Sequence, residues 1–131
     1  MITLLVDHNI EGQAMLLWGM LSSEGWTELI PLKLVTFAQV GLSYNLNDRE
    51  VWRFAQESNM ILLTANRRMK EQDSLEQTIR EENSAASLPV ITIGNVSRMT
   101  EKSYRERCAR QLIEILIDLK NCFGTGRIFI P

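Results

Sequence analysis

The stretch LLVDHNI, residues 4–10, is the part of the chain that decides the fold. Its first three residues, Leu4–Val6, form a short apolar run with Ile2, and such a run predicts a strand that is buried on both faces, as in a parallel sheet. Asp7 follows directly, at the point where this strand is expected to end. In open α/β sheets, ligands bind at the carboxyl ends of the strands. The stretch therefore predicts a parallel sheet with an acidic side chain at its ligand-binding edge.

Short apolar runs alternate with helical periods along the rest of the chain. The first predicted elements are a strand over Ile2–Asp7, a helix over Glu11–Ser23 closed by a left-handed Gly25, a strand over Thr27–Pro31 and an irregular segment over Leu34–Leu46. A helix capped by Asn47 and Glu50 follows, then a strand over Met60–Thr64 and a short helix capped by Asp73 or Ser74. The last predicted elements are a strand after Pro89, a long helix from Thr100 to Lys120 and a strand over Arg127–Pro131. This alternation predicts one domain over residues 1–131, a three-layer α/β/α sandwich with a mostly parallel five-stranded sheet.

Composition and charge narrow the classes of function. The net charge of −2 gives no overall basic field, so any contact with nucleic acid must come from a local patch. Cys108 and Cys122 are expected to be free thiols rather than a disulfide, and no cysteine–histidine cluster suggests zinc. A signal-peptide pattern and an apolar stretch of about 20 residues are both missing, so we expect a cytoplasmic protein without a membrane span.

The candidate chemistry lies at the carboxyl edge of the predicted sheet. Asp7 follows the first strand, Asn66 follows the third, and the helix that leads into the third strand begins at this edge with Asp48 and Glu50. Carboxylates gathered at one edge repel each other unless a cation lies between them, and Mg²⁺ and Mn²⁺ prefer such oxygen ligands. These residues predict a metal site at which water could attack a phosphodiester. The basic residues that follow are candidates for phosphate contacts: Arg67, Arg68 and Lys70.

Each candidate also has a purely structural interpretation. Acids in the first turn of a helix, such as Asp48 and Glu50, are favoured by the helix dipole alone. Asp7 could cap a turn after the strand, and a short basic run is usually a solvated loop. His8, the only histidine of the chain, is expected to be a partly exposed neighbour rather than a ligand.

The segments LLVDHNI and LNDREVWRFAQESNMILLTANRR, together with the strand–helix–strand finish, resemble a PIN-like domain, the metal-dependent ribonuclease fold of VapC-type toxins. The resemblance covers nearly the whole chain in element order. It implies that Asp7 and Asp48 are metal ligands, with Glu50 as a supplement, and that the protein hydrolyses RNA with Mg²⁺ or Mn²⁺. It also implies an antitoxin-like protein partner.

The sequence departs from the family pattern after Thr64. The family has an acid two residues after this threonine, where the chain has Asn66, and an aspartate–phenylalanine pair in place of Arg68 and Met69. An amide oxygen can coordinate a metal but brings no charge. Asp73 or Glu71 could substitute for the missing acid. The sequence thus leaves two hypotheses, a metal-dependent ribonuclease and a non-catalytic PIN-like module that binds RNA or a protein, with the long helix as a possible homodimer face.

Overall fold

The structure, a computed structural model, describes residues 1–67 and 71–131. In this part of the chain five strands form one sheet: β1 Ile2–Val6, β2 Leu32–Val35, β3 Ile61–Thr64, β4 Val90–Ile93 and β5 Arg127–Ile130. Their order is β2-β1-β3-β4-β5, and every neighbouring pair is parallel. The predicted parallel five-stranded sheet is confirmed.

Six α-helices cover the two faces of the sheet in the described residues: α1 Glu11–Ser23, α2 Trp26–Leu29, α3 Phe37–Val40, α4 Asp48–Glu57, α5 Leu75–Glu82 and α6 Lys102–Ile117. Side chains of a strand alternate between faces, so Leu4 and Val6 pack with α1 and α6, whereas Leu5 packs with α3, α4 and α5. The predicted three-layer α/β/α sandwich is therefore confirmed. No helix in the described residues combines the length and apolar character that crossing a bilayer requires.

The strand order places β1 and β3 side by side at the point where the strand order reverses in the sheet. After β2 pairs with one edge of β1, the chain crosses to the other edge and adds β3. Leu5 lies beside Leu62 and Val6 beside Leu63, and the Asp7 amide extends the ladder by donating to the Leu63 carbonyl at 2.9 Å. The segments that follow β1 and β3 are thus neighbours at a topological switch point, the usual position of a ligand site.

The predicted second strand and the irregular segment after it were wrong in detail. Gly25 has the predicted left-handed conformation (φ 82°), but the chain then makes the short helix α2, and the strand begins only after Pro31. Leu32 and Val35 are the residues that bury in this region. In the segment predicted to be irregular, Thr36 and Gln39 form a reciprocal capping box that starts α3.

The capping predictions hold at two helices and fail at the third. Asn47 and Glu50 form the predicted capping box at α4, and Ser74 caps α5. Thr100 does not cap the long helix, because Val96–Thr100 form a 3₁₀ turn that inserts Met99 fully into the core, and α6 begins only at Lys102. The two cysteines are free thiols, as predicted.

Candidate functional site

Asp7 is held in a defined orientation by hydrogen bonds to both of its carboxylate oxygens. Oδ1 accepts from the Asn9 amide at 3.1 Å, which caps the 3₁₀ turn His8–Ile10. Oδ2 accepts from the hydroxyl of Thr64, the last residue of β3, at 2.7 Å. The side chain is 15% exposed, so it remains open to the cleft beside it. Since an ionised carboxylate has about four lone-pair sites, these two bonds leave it capacity for a further ligand.

Asp48 joins three segments of the chain at the same edge. It is the first residue of α4, and its Oδ2 accepts from the Asn66 side-chain amide at 2.9 Å and from the Leu75 backbone amide at 3.0 Å. Leu75 is the first residue of α5, whose first-turn amides have no partner within the helix. Asp48 therefore has a structural role at this helix start in addition to its position near Asp7.

Asn66 and Thr64 connect the two acids. The Thr64 hydroxyl donates to Asp7 and accepts from the Asn66 backbone amide at 3.0 Å, while the Asn66 side chain donates to Asp48. The network runs from Asp7 through Thr64 and Asn66 to Asp48. The structure thus brings together three of the four residues that the sequence analysis placed at this edge, Asp7, Asp48 and Asn66.

Two clefts open onto these residues. The first, here the acidic cleft, has a volume of about 270 Å³ and is lined by a polar set, Asp7, His8, Asn9, Asp48, Thr64 and Asn66, and an apolar set, Phe37, Tyr44, Leu46, Val51, Leu62 and Leu75. The second, here the outer cleft, has a volume of about 420 Å³ and is lined by Asp7, Asn9, Ile10, Asp48, Ala65, Asn66, Arg67 and Val96. The two clefts share four lining residues, Asp7, Asn9, Asp48 and Asn66, so a ligand in either cleft would meet both acids.

Of the other predicted site residues, one lines the outer cleft, one lines neither cleft, and two lie outside the described part of the chain. Glu50 accepts from the Asn47 amide at 3.2 Å in the capping box, is exposed, and is not among the residues that line the two clefts. Arg67 is exposed and lines the outer cleft. Arg68 and Lys70 lie outside the described residues. Asp73, a possible substitute acid, accepts from Arg49 Nε at 2.7 Å, and Glu71, the other, is exposed.

Arg127 contacts the backbone of Asn66, and this contact was not predicted from the sequence. Its Nη1 donates to the Asn66 carbonyl at 2.6 Å and to the Thr92 hydroxyl at 2.7 Å, and its Nε donates to Glu76 at 3.2 Å. The Arg127 side chain is 9% exposed, and this burial lowers the pKa of Arg127, although the Glu76 carboxylate opposes the shift. A lone arginine at the start of the last strand gives no sequence signal for such a contact.

An aromatic group beside Asp7 was also missed. The rings of His8 and Tyr44 stack in parallel, with centroids 4.7 Å apart and an angle of 3°. Phe37 lies tilted against His8 at 5.2 Å. His8 was expected to be a partly exposed neighbour of the site rather than a ligand; its side chain is 27% exposed, and it lines the acidic cleft. The three rings come from the 3₁₀ turn after β1, the first residue of α3 and the turn after α3, and no spacing in the sequence connects them.

The donors at this edge suit a small divalent cation only in part. Within residues 1–67 and 71–131 no three or more His, Cys, Asp or Glu side chains come together as metal ligands. Asp7 and Asp48 provide two carboxylates and Asn66 an amide, all hard oxygen donors of the kind that Mg²⁺ and Mn²⁺ accept beside several waters. The site can therefore provide two negative charges for a cation, not three.

The sequence matches no model of a known protein family, and comparisons with curated proteins and with solved structures give no match either. The fold and the geometry of the site therefore carry the functional argument. They define an α/β sandwich protein with two carboxylates and an asparagine at the switch point of a parallel sheet.

Proposed function

We propose that the protein is a PIN-like ribonuclease that hydrolyses RNA phosphodiesters with Mg²⁺ or Mn²⁺. The observation that carries the proposal is the common position of Asp7 and Asp48, which follow β1 and begin α4 yet line the same two clefts. Two acids from distant parts of the sequence are connected there through Thr64 and Asn66.

Asp7, Asp48 and Asn66 are the residues that would hold the cation. When bound, the cation supplies water activation and neutralises the charge that develops on the phosphodiester. The chain supplies the orientation, because Thr64 and the Asn9 amide hold Asp7 and the Leu75 amide holds Asp48. Glu50 is engaged in the capping box, and we assign it to helix stability rather than to the metal.

Arg67 is the phosphate contact that the described residues offer. It is exposed and lines the outer cleft together with Asp7 and Asp48, so a phosphate bound near the acids would lie within the field of its guanidinium. Arg68 and Lys70 belong to the same proposed patch but lie outside the described residues.

A second candidate, a PIN-like module that binds RNA or a protein without cleaving it, is favoured by the contact between Asn66 and Asp48. The Asn66 amide donates to Asp48 Oδ2, which satisfies part of that carboxylate without a cation. A site built in this way has less need of a metal than a cluster of three acids.

The two candidates are separated by titration calorimetry with Mn²⁺ and by cleavage of single-stranded RNA. The ribonuclease proposal expects one saturable Mn²⁺ site whose affinity falls in Asp7→Asn and Asp48→Asn by more than the roughly 10- to 100-fold that losing an outer-sphere partner costs. Asp118→Asn is the matched control, because Asp118 is exposed and lies apart from the residues of both clefts.

Absence of a saturable site in the wild-type protein would exclude the ribonuclease. RNA binding that persists without cleavage would support the non-catalytic module. Cleavage that continues unchanged in both variants would show that the reaction does not use these acids. The antitoxin-like partner and the homodimer remain predictions, to be checked by light scattering of the protein alone and with a co-encoded small protein.

A further inference from the structure

The acidic cleft has an aromatic side that metal binding does not use. Asp7, Asp48 and Asn66 form its polar rim, whereas Phe37, Tyr44 and the ring of His8 form a wall that continues into aliphatic side chains. A site that held only a hydrated cation would need the rim and not the wall. The wall therefore points to an organic part of the ligand.

The aromatic wall is anchored at its inner end and open at its outer end. Phe37 is 2% exposed and belongs to the core below the sheet, while Tyr44 is 56% exposed. His8 lies between them, stacked on Tyr44 and tilted against Phe37. The Thr36–Gln39 capping box holds Phe37, and a turn in which the Asn45 amide donates to the Ser43 hydroxyl at 3.1 Å carries Tyr44. An exposed aromatic ring held in this way presents a flat surface to the cleft at little cost in ordering.

His8 links the wall to the acids. Its Nδ1 is buried, lies 3.7 Å from Asp7 Oδ1, and has no hydrogen-bond partner among the described residues. The ring is therefore turned with one edge towards Asp7 and one face towards Tyr44. A planar group lying against this pair would be next to the carboxylate of Asp7.

We infer that the acidic cleft binds one nucleobase, with its ring against the His8–Tyr44 pair and its phosphate towards Asp7 and Asp48. The inference rests on the proposed ribonuclease function and names the part of the RNA that the site would recognise. Proteins recognise unpaired RNA by stacking its bases on aromatic side chains such as Tyr and His. The volume of about 270 Å³ falls below the range of pockets for drug-sized ligands, and suits a single base.

The rim of the cleft offers groups that could meet the edge of the base. Asn9 and Asn66 line it, and an amide carries both donors and an acceptor. Stacking alone tolerates every base, since each has a flat π face. The site would consequently bind single-stranded RNA, or a free nucleotide, by the same chemistry, and the experiment has to distinguish these two sources.

The test is binding to the full chain, measured by calorimetry in the presence of EDTA so that no cleavage occurs. The probes are a short unpaired RNA, the same RNA with one abasic residue, and the mononucleotides AMP and UMP. The variants are Tyr44→Leu, which removes the ring from an exposed position, Tyr44→Phe, which keeps it, and Phe123→Leu as a control, because Phe123 is exposed but distant from the acidic cleft.

We expect Tyr44→Leu to weaken RNA binding by roughly 5- to 150-fold, the loss that removal of one base–aromatic stack implies. Tyr44→Phe and Phe123→Leu should retain the affinity. The abasic RNA should lose affinity for the wild-type protein when the missing base is the one bound, and it should lose nothing further in Tyr44→Leu. Unchanged affinity of Tyr44→Leu would overturn the inference, and mononucleotides that bind as tightly as the RNA would overturn its assignment to RNA.

The outcome is independent of the metal experiment. A Tyr44 effect in a protein without a Mn²⁺ site would retain the base pocket and reject the ribonuclease. Mn²⁺-dependent RNA cleavage together with an RNA affinity that Tyr44→Leu leaves unchanged would retain the ribonuclease and reject the base pocket.

Discussion

The side-chain amide of Asn66 donates a hydrogen bond to Asp48 Oδ2 at 2.9 Å, across eighteen positions of sequence. The Asn66 amide thus donates to an acid from a position where the sequence pattern of PIN-like domains has an acid instead. The same Asp48 oxygen also accepts from the Leu75 amide. The contact thus ties the start of α4 to the loop after β3, and its replacement tests both stability and metal binding.

Replacing Asn66 by aspartate should exchange this hydrogen bond for a repulsion between two carboxylates. We expect Asn66→Asp to unfold more easily in EDTA, by about 1–3 kcal/mol, and to recover stability as Mn²⁺ is added. Urea unfolding at a series of Mn²⁺ concentrations measures both effects. Asn121→Asp is the matched control, because Asn121 donates to Asp118 on the surface, apart from both clefts. Equal Mn²⁺ affinity of Asn66→Asp and wild type would contradict the assignment of a metal to this position.

The hydroxyl of Thr64 is expected to be essential to the orientation of Asp7. Thr64 is buried, and in Thr64→Val the Asp7 Oδ2 and the Asn66 amide both lose a partner while the volume stays nearly constant. The free energy of unfolding should fall by about 1–3 kcal/mol, and Thr64→Ser should keep most of it. The Mn²⁺ affinity should fall with Thr64→Val, but not with Thr78→Val, which removes a buried hydroxyl that bonds the Ser74 carbonyl. Equal effects of the two valine variants on metal binding would reject the role of Thr64.

Arg127→Lys should weaken the site although it preserves the charge. A lysine cannot reproduce the planar fork with which Arg127 contacts the Asn66 carbonyl, Thr92 and Glu76 together. We expect a loss of about 1.5–3 kcal/mol of unfolding free energy, the range for hydrogen bonds to charged groups. Arg110→Lys is a suitable control, because Arg110 is exposed on α6. An unchanged urea midpoint in Arg127→Lys would show that the contact with Asn66 contributes nothing.

A cluster of ion pairs between α4 and α5 should make stability depend on pH. Hydrogen bonds from Arg53, at 2.8 Å, and from Arg49 lower the pKa of Glu82 below its ordinary value of 4.5. Because the pKa is lower in the folded state, the stabilisation is present above pH 4.5 and is lost as the pH falls through the folded-state value. Wild type should therefore exceed Glu82→Gln in urea midpoint at neutral pH, and the two should converge under acid conditions.

Glu57→Gln provides the comparison for this pH dependence, since Glu57 is an exposed acid at the end of α4. It should follow the wild-type curve. A difference between wild type and Glu82→Gln that stays constant down to strongly acid pH would contradict the assigned cause.

The two cysteines should differ in reactivity. Cys108 is fully buried, and burial raises the pKa of its thiol to about 11, so little thiolate is present at around pH 8. Cys122 is only half-buried. A thiol-reactive dye should label Cys122 first, and Cys108 only after urea is added, with Cys122→Ser as the control that removes the fast phase. Rapid labelling of Cys108 in the native protein would contradict the burial of this α6 residue against β5, where its thiol donates to the Ile130 carbonyl.

The sequence predicts the sheet well because its signals are local. Buried strands appear as apolar runs, and the Asn47–Glu50 capping box lies within four residues. The position of β2 was missed, since Gly25 turns the chain into α2 before the strand begins. Thr100 failed as a cap because Met99 is drawn into the core, which is a tertiary preference that no local pattern shows.

The part of the candidate site that follows from the order of strands and helices could be predicted from the sequence. Parallel strands bring their carboxyl ends to one edge, so the order of strands and helices along the sequence is enough to place Asp7, Asp48 and Asn66 together. The His8–Tyr44 stack and the contact of Arg127 with Asn66 connect residues 36 and 61 positions apart through side-chain packing. Such contacts depend on how loops are held, and the periodicity of the sequence carries no record of them.

The contact between Arg127 and the Asn66 carbonyl determines when the site is completed during synthesis of the chain. Arg127 begins β5, which follows the four other strands of the described residues and pairs with β4 at the edge of the sheet. While a ribosome is still adding the last strand, the loop after β3 lacks this anchor. The acids at the switch point would therefore reach their final geometry only after β5 has emerged, so the nascent chain carries an incomplete site until residue 127 has left the ribosome.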